Sequence, residues 1–378
     1  MAIPTTVIIS SKETYNYFDK ITGLYILERN IMMLRKAGFK RIILHLSQGE
    51  KVFFEKHIKK RIKKFKVEVD PVNSKIVYPK SSLVICSNIF LQLHYFKDFD
   101  KYFNKEDNIF VPVFSDNIFT ITKKSDIKRA TGKVIQTILD GTGGFISRKI
   151  NKSISIPISR LLVKTRIHPN YLTILNIGIG ILSAYFMFLA AHPEYSHKMQ
   201  YICMAISGLL FQTASVFDGV DGEIAKYSFK FTKLGGYLDT IGDNLTLLLF
   251  LIASSYLNIV QVGGYIAIIS GIVLFTSLAL TVGIMLRFIN TRTDSGSLVA
   301  FDTYFLQKLP PHNLIVKFAK ATKYLIKKEM FSIVILAACV IGAAKYILPG
   351  AAIVLLVSAL TISWLFLRYR KNFPIKII

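Results

Sequence analysis

The chain has 378 residues, 52% of them apolar, and its 48 Lys and Arg against 23 Asp and Glu give a net charge of +25. A mean hydropathy of +0.44 beside so large a charge requires oil and charge to occupy different parts of the chain. They do, because residues 1–169 hold 31 of the basic and 14 of the acidic residues and long uncharged apolar runs follow Asn170, which excludes a wholly soluble enzyme, a disordered chain and a secreted disulfide scaffold.

The opening MAIPTTVIIS runs straight into polar SKETYNYFDK and lacks the pattern of a signal peptide, so the first domain is expected in the cytoplasm. Up to Leu139, strand-like and helix-like text alternates. TTVIIS, RIILHLS, KVEVD, SSLVICSN and NIFVPVF read as strands, RNIMMLRKAGF as a helix ending at a glycine, and EKHIKKRIKKFK as a basic helix. Strands separated by helices predict a mainly parallel sheet with crossover helices, a Rossmann-like α/β domain over residues 1–139. Cys86, Cys203 and Cys339 lie far apart without ligand spacing and are expected to be packed free thiols.

DGTGG (Asp140–Gly144) breaks this pattern and opens a linker over residues 140–169. There Ile154, Ile156, Ile158, Leu161 and Leu162 interleave with Arg148, Lys149, Lys152, Arg160, Lys164 and Arg166, an amphipathic segment suited to an anionic membrane surface. Six apolar stretches follow within residues 170–378: Tyr171–Ala190, Met199–Phe217, Gly236–Leu257, Gly263–Met285, Phe331–Ile347 and Ala351–Leu367. Most reach the ~20 residues that cross ~30 Å of hydrocarbon. Basic residues crowd the loops on one side, from Lys226, Lys230 and Lys233 to Arg287 through Lys328 and then Arg368, Arg370 and Lys371. The other side has Lys198, with Lys345 at an edge. The positive-inside rule then predicts six transmembrane helices, a multi-pass protein of the cell membrane with both termini in the cytoplasm.

One inner loop carries the chemistry: FDGVDGEIAKYSFKFTKLGGYLDTIGDN. Asp218 and Asp221 close the second span, while Asp239 and Asp243 lie one helical turn apart in the third. A single acidic residue at mid-membrane costs about 2.5–3.5 kcal/mol, and four together also repel. Lys226 pairs at most with one of them. Divalent metal is the natural counter-charge, and an all-carboxylate ligand set suits two ions of Mg²⁺ or Mn²⁺. Such pairs of ions clamp in-line phosphoryl displacements. Gly222, Ala225 and Gly235 sit at fixed offsets from the acids and leave room for a backbone to approach a ligand.

The run Asp218-x-x-Asp221-Gly222-x-x-Ala225-Lys226, then Gly235-x-x-x-Asp239-x-x-x-Asp243, resembles the signature of the CDP-alcohol phosphotransferase family. The family has arginine where this chain has Lys226, which keeps the charge and loses bidentate geometry. HPNYLT at the start of the first span, with Asn170 and Thr173, belongs to the same likeness. The resemblance implies transfer of a substituted phosphate from a CDP-linked lipid or alcohol to an acceptor hydroxyl, with release of CMP. It implies Asp218, Asp221 and Asp239 as metal ligands and Asp243 as both ligand and general base. CDP would be held by Asp218, Gly222, Ala225, Lys226, Gly235, Asn170 and Thr173. A phosphorylated polyol such as inositol phosphate would need basic partners, for which Arg287 leads and Arg160, Lys164 and Arg166 follow. Homodimerisation is implied too, and nucleic acid is not an expected partner.

The first domain has a likeness of its own. GLYILERNIMMLRKAGFKRIILH (Gly23–His45) resembles the segment after the nucleotide loop of sugar-phosphate cytidylyltransferases. Archaeal and bacterial bifunctional enzymes join such a domain to this membrane domain, and the junction ISRKINKSISIPISR looks like theirs. Where those domains carry a glycine-rich loop, this chain reads ISSKETYNYFDKITG with no glycine before Gly23. Without such glycines the loop is poorly suited to cradle a triphosphate, so the domain reads as degenerate and non-catalytic. Two rivals fit less well. A membrane prenyltransferase spaces its aspartate pairs much farther apart, and a divalent-cation transporter needs acids toward the bilayer midplane, whereas spans four to six contain none.

Overall fold

The computed structural model describes the chain except residues 1–3, 12–17, 64, 71–78, 80, 107–108, 142–146, 166, 231, 293–298, 311, 326–327 and 373–378. The chain divides into two compact units. One comprises Met1–Gly141 with Ile156–Pro169 and Asp221–Thr232, and the other Thr142–Ser155, Asn170–Val220 and Lys233–Ile378. In order come β1 (Thr6–Ser10), β2 (Lys20–Ile21), β3 (Leu24–Tyr25), α1 (Ile26–Lys36), β4 (Arg41–His45), α2 (Gln48–Phe53), β5 (Glu68–Val69), β6 (Ser82–Cys86) and β7 (Ile89–Phe90). Next are α3 (Phe99–Tyr102), β8 (Phe103–Glu106), β9 (Ile109–Pro112), β10 (Phe119–Thr120) and α4 (Lys124–Asp140). The remainder is helical: α5 (Lys152–Thr165), α6 (Pro169–Leu189), α7 (His197–Tyr227), α8 (Lys233–Gln261), α9 (Gly264–Arg292), α10 (Val299–Tyr304), α11 (Leu314–Leu325), α12 (Lys328–Val340) and α13 (Ile347–Tyr369).

In the first unit six strands form one sheet in the order β5-β4-β1-β6-β9-β8, parallel except where β8 runs against β9. β1 lies inside the sheet, in register with Arg41–His45 on one side and Ser82–Cys86 on the other. Its Val7, Ile8 and Ile9 are all buried, as a parallel strand covered on both faces requires. The Rossmann-like expectation holds. The basic helix expected over Glu55–Lys66 is displaced toward the N-terminus, because α2 continues in a wider turn through Phe54–Ile58 and the chain then leaves the helix. Phe53, Phe54, Ile58 and Ile62 are buried, so apolar spacing sets the helix earlier, and Arg61 pairs with Glu28 at 2.9 Å.

β2 and β3 form a hairpin whose turn residues, Thr22 (φ 46°) and Gly23 (φ 83°), are both left-handed, as a type I′ turn demands. α7 ends in a Schellman motif: Phe229 N–H donates to Lys226 O at 3.4 Å and Lys230 N–H to Ala225 O at 2.9 Å. That motif puts Phe229 at φ 52°, in a position that glycine usually fills.

In the second unit α6, α7, α8, α9 and the segment Ala344–Asn372, which contains α13, are long and apolar enough to cross a membrane, and Met330–Val340 of α12 adds a shorter apolar helix. Five of the six expected spans are helices of membrane-crossing length, the fifth expected span, Phe331–Ile347, is helical only to Val340, and the second runs ten residues past Phe217 to Tyr227. Ile268, Ile269, Ile272 and Leu280 on α9 are exposed, a large apolar surface of the kind that faces lipid. Helices cross at small residues. A β-carbon at Gly180 would lie 2.5 Å from Thr246, one at Gly242 2.6 Å from Ile177, and one at Gly208 2.6 Å from the Cβ of Cys339. Cys203 and Cys339 are buried free thiols and Cys86 is a half-buried one.

At Gly208 the Cα of Leu336 also stands 3.3 Å from the β-carbon position, so α12 cannot yield by turning one side chain. Gly208→Ala is expected to cost about 1–3 kcal/mol through overpacking. Thermal unfolding in detergent should show a lowered midpoint for Gly208→Ala and none for Gly271→Ala, where nothing stands within 4 Å of the added carbon. Equal midpoints would show that this crossing is loose.

Along α5 and the turn before it, Ser147, Asn151, Ser155, Ser159 and Val163 are buried at four-residue spacing. Ile150, Ile154 and Leu161 are exposed, as are Arg160 and Lys164. The outward face thus mixes apolar and basic side chains, as an interfacial helix does.

Candidate active site

Asp218 comes from α7, and Asp239 and Asp243 from α8. A spacing of four sets the last two on one helix face. The three residues offer carboxylate oxygens that all lie within 4.8 Å of one another, in half-buried positions. Helix crossing enforces this convergence: Gly242 lets Ile177 of α6 press against α8 beside Asp243. At Asp218 the neighbouring Gly219 admits the start of α5, with Ser155 Oγ 3.2 Å and Lys152 Nζ 3.3 Å from where a β-carbon would stand. Asn151 braces the same segment, donating to Ser215 Oγ at 3.1 Å and accepting from Gln212 at 3.0 Å.

Among the described residues one cation pairs directly with this cluster. Lys328, the first residue of α12, forms an ion pair with Asp243 and stands 3.5 Å from Asp218 Oδ1. Sequence reasoning counted Lys328 among the loop charges that fix orientation and missed this role. Asp218 Oδ1 is otherwise a buried carboxylate oxygen without a hydrogen bond. Three converging carboxylates, one with a buried oxygen that faces Lys328 without a hydrogen bond, are a donor set that fits a divalent hard cation.

The remaining expected residues are placed as follows. Asp221, three residues past Asp218 on α7, is buried and is not one of the three. Gly222 is exposed, with nothing within 4 Å of its β-carbon position among the described residues. Ala225 is half-buried, Lys226 exposed, and Gly235 half-buried in the first turn of α8. On α6 Asn170 is half-buried and Thr173 buried. Asn176, one turn on, is buried, and its Oδ1 has no hydrogen-bond partner among the described residues. Arg287, Arg160 and Lys164 are exposed, and none of them pairs with the three carboxylates among the described residues. Arg166 lies outside the described residues.

Fold and site define a multi-pass α-helical membrane protein with carboxylates gathered from two neighbouring helices. Residues 166–365 match the CDP-alcohol phosphatidyltransferase family, and the chain belongs to it. It is similar to a bifunctional IPC transferase and DIPP synthase of Archaeoglobus fulgidus, 38% identical over 132 residues, which are 35% of this chain and 24% of that protein. A phosphatidylinositol phosphate synthase of Corynebacterium glutamicum is 29% identical over 103 residues, 27% of this chain and 42% of the relative. An archaetidylinositol phosphate synthase of Pyrococcus horikoshii is 29% identical over 101 residues, 26% of this chain and 47% of the relative. The matched stretches thus span less than half of each of these relatives' length.

Proposed function

We propose that this chain transfers a lipid-bearing phosphate from a CDP-linked donor to the hydroxyl of a phosphorylated polyol, of which inositol phosphate is the leading candidate. The convergence of Asp218, Asp239 and Asp243 within the signature spacing carries this reading, and the names of the synthase relatives support the acceptor class. In the step proposed, the acceptor oxygen forms a bond to the donor's lipid-side phosphorus, and the bond from that phosphorus to CMP breaks. CMP leaves with the electron pair, and the hydroxyl proton passes to Asp243.

Asp218, Asp221, Asp239 and Asp243 would hold two ions of Mg²⁺ or Mn²⁺. Bound there, the ions supply counter-charge to the diphosphate and to the leaving phosphate. Gly222 and Ala225 would leave room for the nucleotide against α7, with Lys226, Gly235, Asn170 and Thr173 around it. Arg287 leads the candidates for the acceptor's phosphate, ahead of Arg160, Lys164 and Arg166. Homodimeric assembly and a site facing the cytoplasm belong to the same proposal.

Purified protein is to be incubated with Mg²⁺ and CDP-diacylglycerol or CDP-archaeol, with inositol phosphate, glycerol phosphate or unphosphorylated inositol as acceptor. CMP release and product mass read the outcome. Turnover with inositol phosphate is expected, and release of CMP with no acceptor dependence would overturn the transferase reading. Orientation has its own test. A cysteine at Ser196 should react with an impermeant thiol reagent in intact cells, and one at Lys317 should not; both positions are exposed. Labelling at residue 317 would reverse the topology.

A further inference from the structure

The first unit holds more than the α/β domain: it includes the last two turns of α7 and the residues after it, Asp221–Thr232. Three contacts tie this segment and α5 to the domain. Thr22 Oγ1, in the turn of the β2–β3 hairpin, donates to the backbone carbonyl of Tyr227 at 3.4 Å. Gly23, its neighbour, lies so near α5 that a β-carbon would stand 3.0 Å from Val163 O and 3.1 Å from its side chain. Phe229 is buried in the same core cluster as Val7, Ile9, Leu27 and Leu91, a core otherwise drawn from residues 7–118.

Phe229 reaches that core from a left-handed backbone, φ 52°. At the closing position of a Schellman motif glycine costs least, and a β-carbon makes the conformation less favourable. An aromatic ring there needs a compensating reason, and the structure supplies one. The ring is buried in the α/β core, 5.5 Å from the guanidinium of Arg29. Arg29 is itself fixed by donating to Leu91 O at 2.7 Å and by a second ring, Phe90, at 5.1 Å. Burial lowers the Arg29 pKa to about 10, which leaves the guanidinium charged at neutral pH and able to face both rings.

We propose that the α/β domain acts as a clamp on the nucleotide-binding end of α7, with Phe229 as the positioning residue that holds Asp221, Gly222 and Ala225 in place. These three lie four to eight residues before the anchor, in the last two turns of α7. The assignment gives the domain a task that does not depend on nucleotidyl transfer by its own loop. It rests on the roles proposed above for Asp221 as a metal ligand and for Gly222 and Ala225 beside the nucleotide.

The test uses the full chain and two readouts. Amide hydrogen exchange across residues 221–230 reads the anchor directly, and calorimetry with soluble CDP and Mg²⁺, alongside donor KM and kcat, reads its consequence. Phe229→Ala is expected to speed exchange in that segment and to weaken CDP binding and raise donor KM about tenfold, while kcat changes much less, as displaced binding groups would produce. Phe229→Leu should recover most of the binding. Phe103→Ala removes a ring of equal size from the same core, from between Phe96 and Phe99, and should leave exchange at 221–230 and CDP binding unchanged. Unaltered exchange and binding in Phe229→Ala would overturn the proposal. So would an equal loss in Phe103→Ala, because general loosening of the domain would then account for the effect. A parent protein that binds no CDP would overturn the donor reading instead, and exchange at 221–230 would then decide the anchor alone.

Discussion

Asp243→Asn is expected to keep its hold on the CDP-linked donor while losing roughly 10²–10⁴ of the turnover rate, the usual cost of removing a general base. The asparagine has the size of the aspartate and retains an oxygen that can coordinate a cation, but it cannot accept the acceptor's proton. Asp218→Asn should behave differently. Asp218 Oδ1 stands 3.5 Å from the Lys328 ammonium and converges with Asp239 and Asp243, and losing its charge removes attraction for the cations that the diphosphate requires. Donor binding and turnover should fall together in that variant. Calorimetry with a soluble CDP ligand in the presence of Mg²⁺, paired with CMP-release rates, separates the two patterns. Because Asp243 also pairs with Lys328, the rate loss must be compared with that of a Lys328 variant carrying an intact Asp243. Parent-like turnover in Asp243→Asn would remove it from the base role.

Much of this architecture is legible in the sequence because it is periodic. Buried strands such as Val7-Ile8-Ile9 read as unbroken β-branched text, and the spans read as apolar runs, although α7 extends past its run and α12 stops short of the end of its own. Asp239 and Asp243 declare a shared face by spacing alone. What stayed hidden has no local signal. The partnership of Lys328 and Asp243 joins residues 85 apart, and a lysine beside an apolar run looks like an orientation marker wherever it ends up. Phe229 looks like an ordinary loop aromatic, since neither its left-handed backbone nor its burial in a distant core leaves a trace in spacing. The displaced helix over α2 failed for a related reason. The basic run Glu55–Lys66 dominated the pattern, whereas Phe53, Phe54 and Ile58 decide where the helix lies.

Lys328→Gln is expected to lower the Mg²⁺ concentration at half-saturation about tenfold or more. The ammonium of Lys328 reaches Asp218 and Asp243, two of the three oxygens' owners that a divalent cation would use. Opposite charges 4 Å apart attract by about 4 kcal/mol at the effective dielectric typical of protein surfaces. Any cation entering the cluster must offset part of that attraction, and each 1.4 kcal/mol offset is worth a factor of ten in affinity. Glutamine keeps most of the side-chain length and removes the charge. Without added metal the variant leaves three carboxylates in mutual repulsion, so its thermal midpoint should fall, and Mg²⁺ should raise that midpoint more than it does in the parent. Lys328→Arg retains the charge and should follow the parent in both measurements. If half-saturation in Lys328→Gln is unchanged, the lysine does not compete for the site. If it rises, the ammonium instead holds Asp218 and Asp243 in the geometry the cation needs, and competition is the wrong account of the pair.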